Sequence, residues 1–257
     1  MNRKLYPVLL FFCLIVFSFS SAAAQSLLGR RGGVSKVPER GVVLMAGGGI
    51  AAVKSNICGS PGCNNFGPNL SVGALYKMTP YLGISGQLDY VRLGATEKDP
   101  RRPLNVSFKS EVIEVSGTAV INLLDSYAGG GGYRSLRKRF VVPYARVGAG
   151  FIYYTPTSFP GQGKLNDSQT TYDPERKYPA IALVVPFGGG FRFRVNDEFS
   201  IATELMYHIT TTDYLDNVGP ELLPAATKDH YGLAAVKLMY TPRIQNKIFS
   251  RKYSSRK

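Results

Sequence analysis

Tryptophan is absent from this chain of 257 residues, charged residues make up only 19% of it, and acids number 17 against 31 Lys and Arg. With 44% hydrophobic residues, the composition is neither collagenous nor disordered and suits one folded domain with a sizeable core. Beyond the first 24 residues no apolar run is long enough to cross a bilayer as a helix. Membrane residence would therefore require a closed barrel, the other structure that satisfies every backbone N–H and C=O in lipid. No Gly-x-Ser-x-Gly elbow occurs, and neither Gly129 to Gly132 nor Gly188 to Gly190 is followed by the Lys-Ser/Thr of a phosphate cradle. Those glycines fit barrel packing and flexibility instead. Basic and aromatic residues are not interleaved, so the positive charge does not point to nucleic acid. What is abundant is 28 Gly, 16 Tyr and 14 Phe, a strand-rich composition that argues against a helical bundle.

Arg3 and Lys4 precede an apolar run from Val8 to Phe17, and Ala22-Ala23-Ala24 supplies a small-residue cleavage site. Residues 1–24 are expected to be a secretory signal peptide, leaving a mature chain of charge +12 that begins at Gln25. Cys13 lies inside the apolar run, without the small residues that precede a lipidated cysteine, and leaves with the signal.

The mature chain alternates with period two. Leu70, Val72, Ala74, Tyr76 and Met78 alternate with Asn69, Ser71, Gly73 and Lys77; after the Met78-Thr79-Pro80 turn, Leu82, Ile84, Leu88 and Tyr90 alternate with Gly83, Ser85, Gln87 and Asp89. Similar segments run from Ile113 to Leu123, from Tyr144 to Tyr153, from Val185 to Arg194 and from Phe199 to Thr210. With a Gly-rich first strand, Val42 to Ala52, and a last one, Tyr231 to Tyr240, they make eight strands. The expected fold is all-β, an eight-stranded antiparallel transmembrane β-barrel with short periplasmic turns and longer outer loops. Its expected parts are the signal peptide 1–24, a periplasmic N-terminal segment 25–40, the barrel 41–241 and a basic periplasmic tail 242–257.

Alternation alone does not say which face is inside, and a soluble, lipocalin-like barrel shows it too. Two features favour the outer membrane of a Gram-negative bacterium. Asp89, Glu114, Arg146, Arg192, Arg194, Glu204 and Lys237 lie on the polar faces, where opposite charges can pair inside a small barrel. The last strand also ends on Leu238 and Tyr240, an apolar-aromatic ending like that of outer-membrane barrels. Eight strands enclose only enough room for their own side chains, which disfavours a porin and leaves the two rims for function. His208, four residues after Glu204, is expected to pair with it inside the barrel rather than serve as a catalytic base, and no catalytic residue or cofactor is expected.

The outer loops, taken as residues 53–66, 93–105, 155–179 and 213–230, sum to −1, whereas the periplasmic parts sum to +10. Arg134, Arg137, Lys138 and Arg139 in one turn, with Arg243, Lys247, Arg251 and Lys252 in the tail, are the candidate docking residues. They suit an acidic periplasmic partner. They equally suit anionic lipid headgroups at the inner leaflet, at about 1 kcal/mol per residue near the surface. Cys58 and Cys63, in the first outer loop of an exported chain, form a candidate disulfide. Zinc would need two further ligands, and the histidines, His208 and His230, are distant in sequence.

Further motifs carry a resemblance. They are the Gly-rich opening Gly41 to Gly49, Leu104 to Ser110 with Glu111 and Glu114, Pro143-Tyr144 with Gly148, Gly150, Phe151 and Tyr153, and Pro186-Phe187-Gly188 with Gly190. The most distinctive is Thr212-Asp213-Tyr214-Leu215-Asp216-Asn217-Val218. Over roughly residues 41–241 the chain resembles the outer-membrane barrel family typified by PorG of the bacterial type IX secretion system. Asn217 stands where that family usually has a second acid. The resemblance implies a non-enzymatic part of a secretion machine, anchored in outer-membrane lipid beside a periplasmic ring built from a lipoprotein and its partner. Asp213, Tyr214 and Asp216 mark the resemblance and are expected to form the exit turn of a strand, with too few ligands for calcium. The Cys58/Cys63 loop and the long basic tail depart from the family pattern and leave open a paralogue with another partner, such as a structural or adhesive surface barrel working through its outer loops.

Overall fold

The computed structural model describes residues 41–79, 81–97, 106–124, 139–160, 177–218 and 228–242. The strands are β1 (Gly41–Lys54), β2 (Gly67–Lys77), β3 (Leu82–Thr96), β4 (Val106–Asn122), β5 (Val141–Pro160), β6 (Ala180–Arg194), β7 (Phe199–Thr210) and β8 (His230–Tyr240). Each pairs antiparallel with the next, and β1 closes on β8 from Leu44↔Tyr240 to Lys54↔His230. The result is a closed eight-stranded barrel. Closure leaves no strand edge to face lipid.

Polarity is inverted relative to a soluble barrel. Leu70, Val72, Ile84, Leu88, Val115, Phe151, Leu183, Leu205, Val236 and Leu238 point outward and are exposed, Leu205 to 70%. Their neighbours along the strands, among them Ser71, Ser85, Asp89, Glu114, Thr118, Arg146, Glu204 and Lys237, are buried inside. An apolar outer wall around a charged interior suits hydrocarbon outside and excludes the lipocalin-like alternative.

Two of the connections at one end are tight turns built by side chains. The Met78 and Thr79 amides both donate to the Leu82 carbonyl at 3.0 Å. Asn196 Oδ1 accepts from the Glu198 and Phe199 amides at 2.8 and 2.6 Å, an Asx turn that reverses the chain between β6 and β7. Short turns place this end in the periplasm.

At the opposite, outer end β3, β4 and β5 run further than the alternation predicts, to Thr96, from Val106 and to Pro160. The reason is a second inversion. Val91, Leu93, Phe108, Val112, Ile152 and Tyr154 point inward into an apolar core, while Arg92, Glu111 and Thr155 face out. Above the bilayer the outer face is wet, so the strands revert to the polarity of a soluble protein without changing phase. Residues 53–54, 93–96, 155–160 and 230, expected in outer loops, therefore belong to strands.

A Cβ at Gly47 would collide with the Val236 carbonyl oxygen and would meet Lys237 Cγ at 2.6 Å and Lys237 Cα at 2.7 Å, so glycine in β1 admits the close approach of the β8 backbone together with its buried lysine stem.

Leu205 sits at the middle of β7 on the lipid face. Leu205→Arg should cost about 2–4 kcal/mol in a bilayer, whereas Leu205→Val should cost well under half of that. Urea titration of folding into phosphatidylcholine vesicles would check both.

Candidate functional site

The interior is layered. Toward the periplasm Val43, Met45, Leu75, Val120, Ala202 and Met239 form an apolar plug, closed by the ring of Tyr144. Charged and hydrogen-bonding groups fill the middle, and the larger apolar core fills the outer end. A void among the middle residues measures about 10 Å³, room for roughly one water.

Glu204 organises the middle layer. Its Oε1 accepts from Arg146 Nη1 at 2.8 Å and from the Tyr144 hydroxyl at 2.7 Å, and its Oε2 accepts from Lys237 Nζ at 2.5 Å. Gln87 joins the two bases by accepting from Arg146 Nη2 at 2.8 Å and from Lys237 Nζ at 2.9 Å. Its Nε2 donates to both carboxylate oxygens of Asp89, at 2.7 and 2.6 Å. Arg146 Nη2 also donates to Ser85 and Thr118 hydroxyls at 2.9 Å. Arg192 lies over the Tyr144 ring at 5.2 Å, a cation–π contact. Arg194 is half-buried at the periplasmic end of β6, where its amide donates to the Phe140 carbonyl.

The expected His208–Glu204 pair does not form. Four residues along a strand separate side chains by about 13 Å, too far for contact. His208 Nδ1 instead lies 2.7 Å from Glu114 Oε2, across the barrel on β4. The Tyr231 hydroxyl donates to the same oxygen, and its ring stacks on His208 at 4.5 Å between centroids. This group faces the lumen, away from lipid.

The outer mouth carries a cap that the sequence shows only in part. Cys58 and Cys63 are joined by a disulfide and are both buried, and the chain beyond them pairs with β3 through Asn64↔Ala95 and the Asn65 amide, 2.9 Å from the Gly94 carbonyl. Ile57 and Cys58 belong to one apolar cluster with Leu215 and Val218. The stretch Thr212 to Val218 is therefore a lid packed into the barrel mouth, more than an exit turn. Tyr154 and Thr212 hydroxyls bond at 2.7 Å, and Ser158 Oγ donates to the Asp216 carbonyl at 3.2 Å. Asn217 has φ 62°, a left-handed conformation that Asn adopts more readily than most residues. Tyr214 is partly buried against the cluster.

Three buried aspartates hold the lid. Asp213 Oδ1 accepts from Asn56 Nδ2 at 3.3 Å, Asp216 Oδ1 from the Val218 amide at 3.0 Å, and Asp229 Oδ2 from the Leu215 amide at 2.9 Å. Burial pushes all three carboxyls above the usual carboxylate range, Asp216 up to about 7. Asp229 rises to about 9, because burial is followed by the charge of Asp216. Asp229 lies outside every motif named from the sequence; its one sequence signal is an acid directly before a strand.

Among the docking candidates, Arg139 is half-exposed just before β5, while Arg134, Arg137, Lys138, Arg243, Lys247, Arg251 and Lys252 lie outside the described residues. So do residues 1–40, including Cys13, and Gly129 to Gly132. Among the described residues no group of three or more His, Cys, Asp or Glu is arranged to hold a metal ion.

The family described as outer membrane protein beta-barrel domain matches residues 10–232. The chain belongs to this family. It is thus a barrel of the Gram-negative outer membrane. Several solved structures are similar to it at low identity. Ail, the attachment invasion locus protein of Yersinia pestis, is 14% identical, with 77% of this chain and 96% of that one covered and a TM-score of 0.42. Neisserial surface protein A is 12% identical over the same shares, TM-score 0.42. OprG from Pseudomonas aeruginosa is 9% identical over 80% of this chain and 99% of that one, TM-score 0.39. No match to a curated protein was found.

In this outer-membrane barrel, Glu204→Ala leaves Arg146 and Lys237 buried without their shared acid and should destabilise by about 3–5 kcal/mol. Glu204→Gln combined with Arg146→Met and Lys237→Met, which removes both bases with their acid, should recover a large part of that loss. Denaturant midpoints of the refolded variants in micelles test the pair.

Proposed function

We propose that this barrel is a non-enzymatic, non-conducting component of the type IX protein secretion system that holds a periplasmic ring, a lipoprotein with its partner, at the outer membrane. The observation that carries the non-conducting part is the sealed lumen: an ion-paired middle layer lies between an apolar plug and an apolar core under a lid. With no path for a solute, work is left to the rims. The secretion role is supported by the resemblance in Thr212 to Val218 and by the basic periplasmic segments, in which Arg134, Arg137, Lys138, Arg139 and the tail are the docking residues.

A second reading, a structural or adhesive surface barrel, is favoured by one observation. The outer mouth is built up with a disulfide and a packed lid, more structure than a passive anchor needs at that rim.

Brief crosslinking in cells, purification from outer membranes in mild detergent and mass spectrometry should recover periplasmic ring subunits. Deletion of residues 243–257 should reduce their recovery at least tenfold while the barrel still assembles. A barrel recovered alone, in cells whose export of type IX cargo survives loss of the whole protein, would overturn the secretion reading in favour of the surface one.

A further inference from the structure

The two charged regions of this barrel are neutralised differently. In the middle layer every acid has a base or a donor aimed at it, but Asp213, Asp216 and Asp229 form no ion pair among the described residues. Asp216 and Asp229 are fully buried, and one oxygen of each, Asp216 Oδ2 and Asp229 Oδ1, has no hydrogen-bond partner. The two are neighbours in space, since the Asp229 carboxyl accepts from the Leu215 and Asp216 amides. Two buried carboxylates side by side cannot both stay ionised without a positive charge. The described residues offer no arrangement for a metal ion, so the charge is a proton.

We infer that Asp216 and Asp229 share a proton that latches the lid, closing the outer mouth in acidic and neutral surroundings and releasing it as the surroundings turn alkaline. Among the described residues the groups around the pair supply no alternative counter-charge. On the lid itself Asp213 adds repulsion, and exposed Lys228 acts on Asp213. The turn after β1 contributes Ser55, Asn56 and the Ile57 backbone, β5 contributes Ser158 and β7 contributes Thr210, all neutral. His230, which opens β8, is itself held toward its neutral form by burial and by Lys54.

The sign follows from proton counting. The closed lid holds one or two protons that the open lid, with ordinary carboxyls near pKa 4, has lost. Opening therefore grows more favourable with pH, by at least about tenfold per unit from near pH 4 until the last proton leaves the folded pair, near 9. What opening uncovers is apolar: Leu215, Val218 and Ile57.

Hydrogen exchange of the full chain in detergent micelles, corrected for intrinsic rates, tests the latch. Protection of amides 212–218 should fall at least about a hundredfold from pH 5 to pH 7, while β7 amides stay protected. Asp229→Asn and Asp216→Asn, neutral at every pH, should each flatten that slope. In the wild-type protein at neutral pH, the infrared carbonyl band of a protonated carboxylic acid should be present, should weaken in each variant and should be lost in large part when both substitutions are combined. A flat wild-type profile, or an unchanged slope in both variants, would overturn the inference. So would a lid that calcium closes at pH 9 and a chelator opens at pH 6, since the counter-charge would then be a metal.

Discussion

Glu204 accepts from Arg146, Lys237 and Tyr144 together, and the rest of the lumen depends on that coincidence. Lipid outside forces the polar residues of every strand inward, so a narrow barrel must bury charge. Buried charge is tolerable only where each ion is paired and its remaining hydrogen-bonding capacity is used. One carboxylate serves two bases, and Gln87, lying between the same bases, passes the network on to Asp89. Gly47 on β1 lets the β8 backbone at Val236 and Lys237, with the lysine stem, come close. Strand choice, glycine placement and interior charge are thus one constraint seen at three scales.

The membrane-spanning part was legible because hydrocarbon imposes the simplest pattern a sequence can carry. Leu70, Val72 and Tyr76 against Asn69, Ser71 and Gly73 give the strand, and the position of Arg146 and Glu204 on the opposite faces gives the inside. Above the bilayer the same period persists with its meaning reversed, as in Val91, Arg92 and Leu93, and a reading tuned to apolar-outward residues stops too early. Pairings across the lumen were not legible at all. His208 meets Glu114 because β4 and β7 face one another in the closed barrel, and nothing local marks that. The nearer Glu204 was the wrong partner, because sequence proximity along a strand is distance.

The stretch Thr212 to Val218 stands out in the sequence without showing its place in the fold. Its residue types suit a turn, and Asn217 does take the left-handed conformation a turn needs. What the types do not reveal is that Leu215 and Val218 enter a core shared with the disulfide loop, or that Asp229 reaches back to hold the Leu215 amide. That carboxyl lies 14 residues away in sequence. The lid is a tertiary object, assembled from the first and last outer connections, which meet because β1 and β8 are neighbours.

Two ways of neutralising buried acids then divide the molecule by what the surroundings can change. The bases of the middle layer are covalent parts of the chain, sealed between apolar layers, and their pairing with Glu204 is fixed once the barrel has closed. At the lid the compensating charge is a proton, which exchanges with water whenever the mouth breathes. The same burial that would be ruinous for an unpaired ion in the lumen becomes adjustable at the rim. A barrel that admits nothing through its centre thereby keeps one end responsive, and it does so with two aspartates that no ion pair holds.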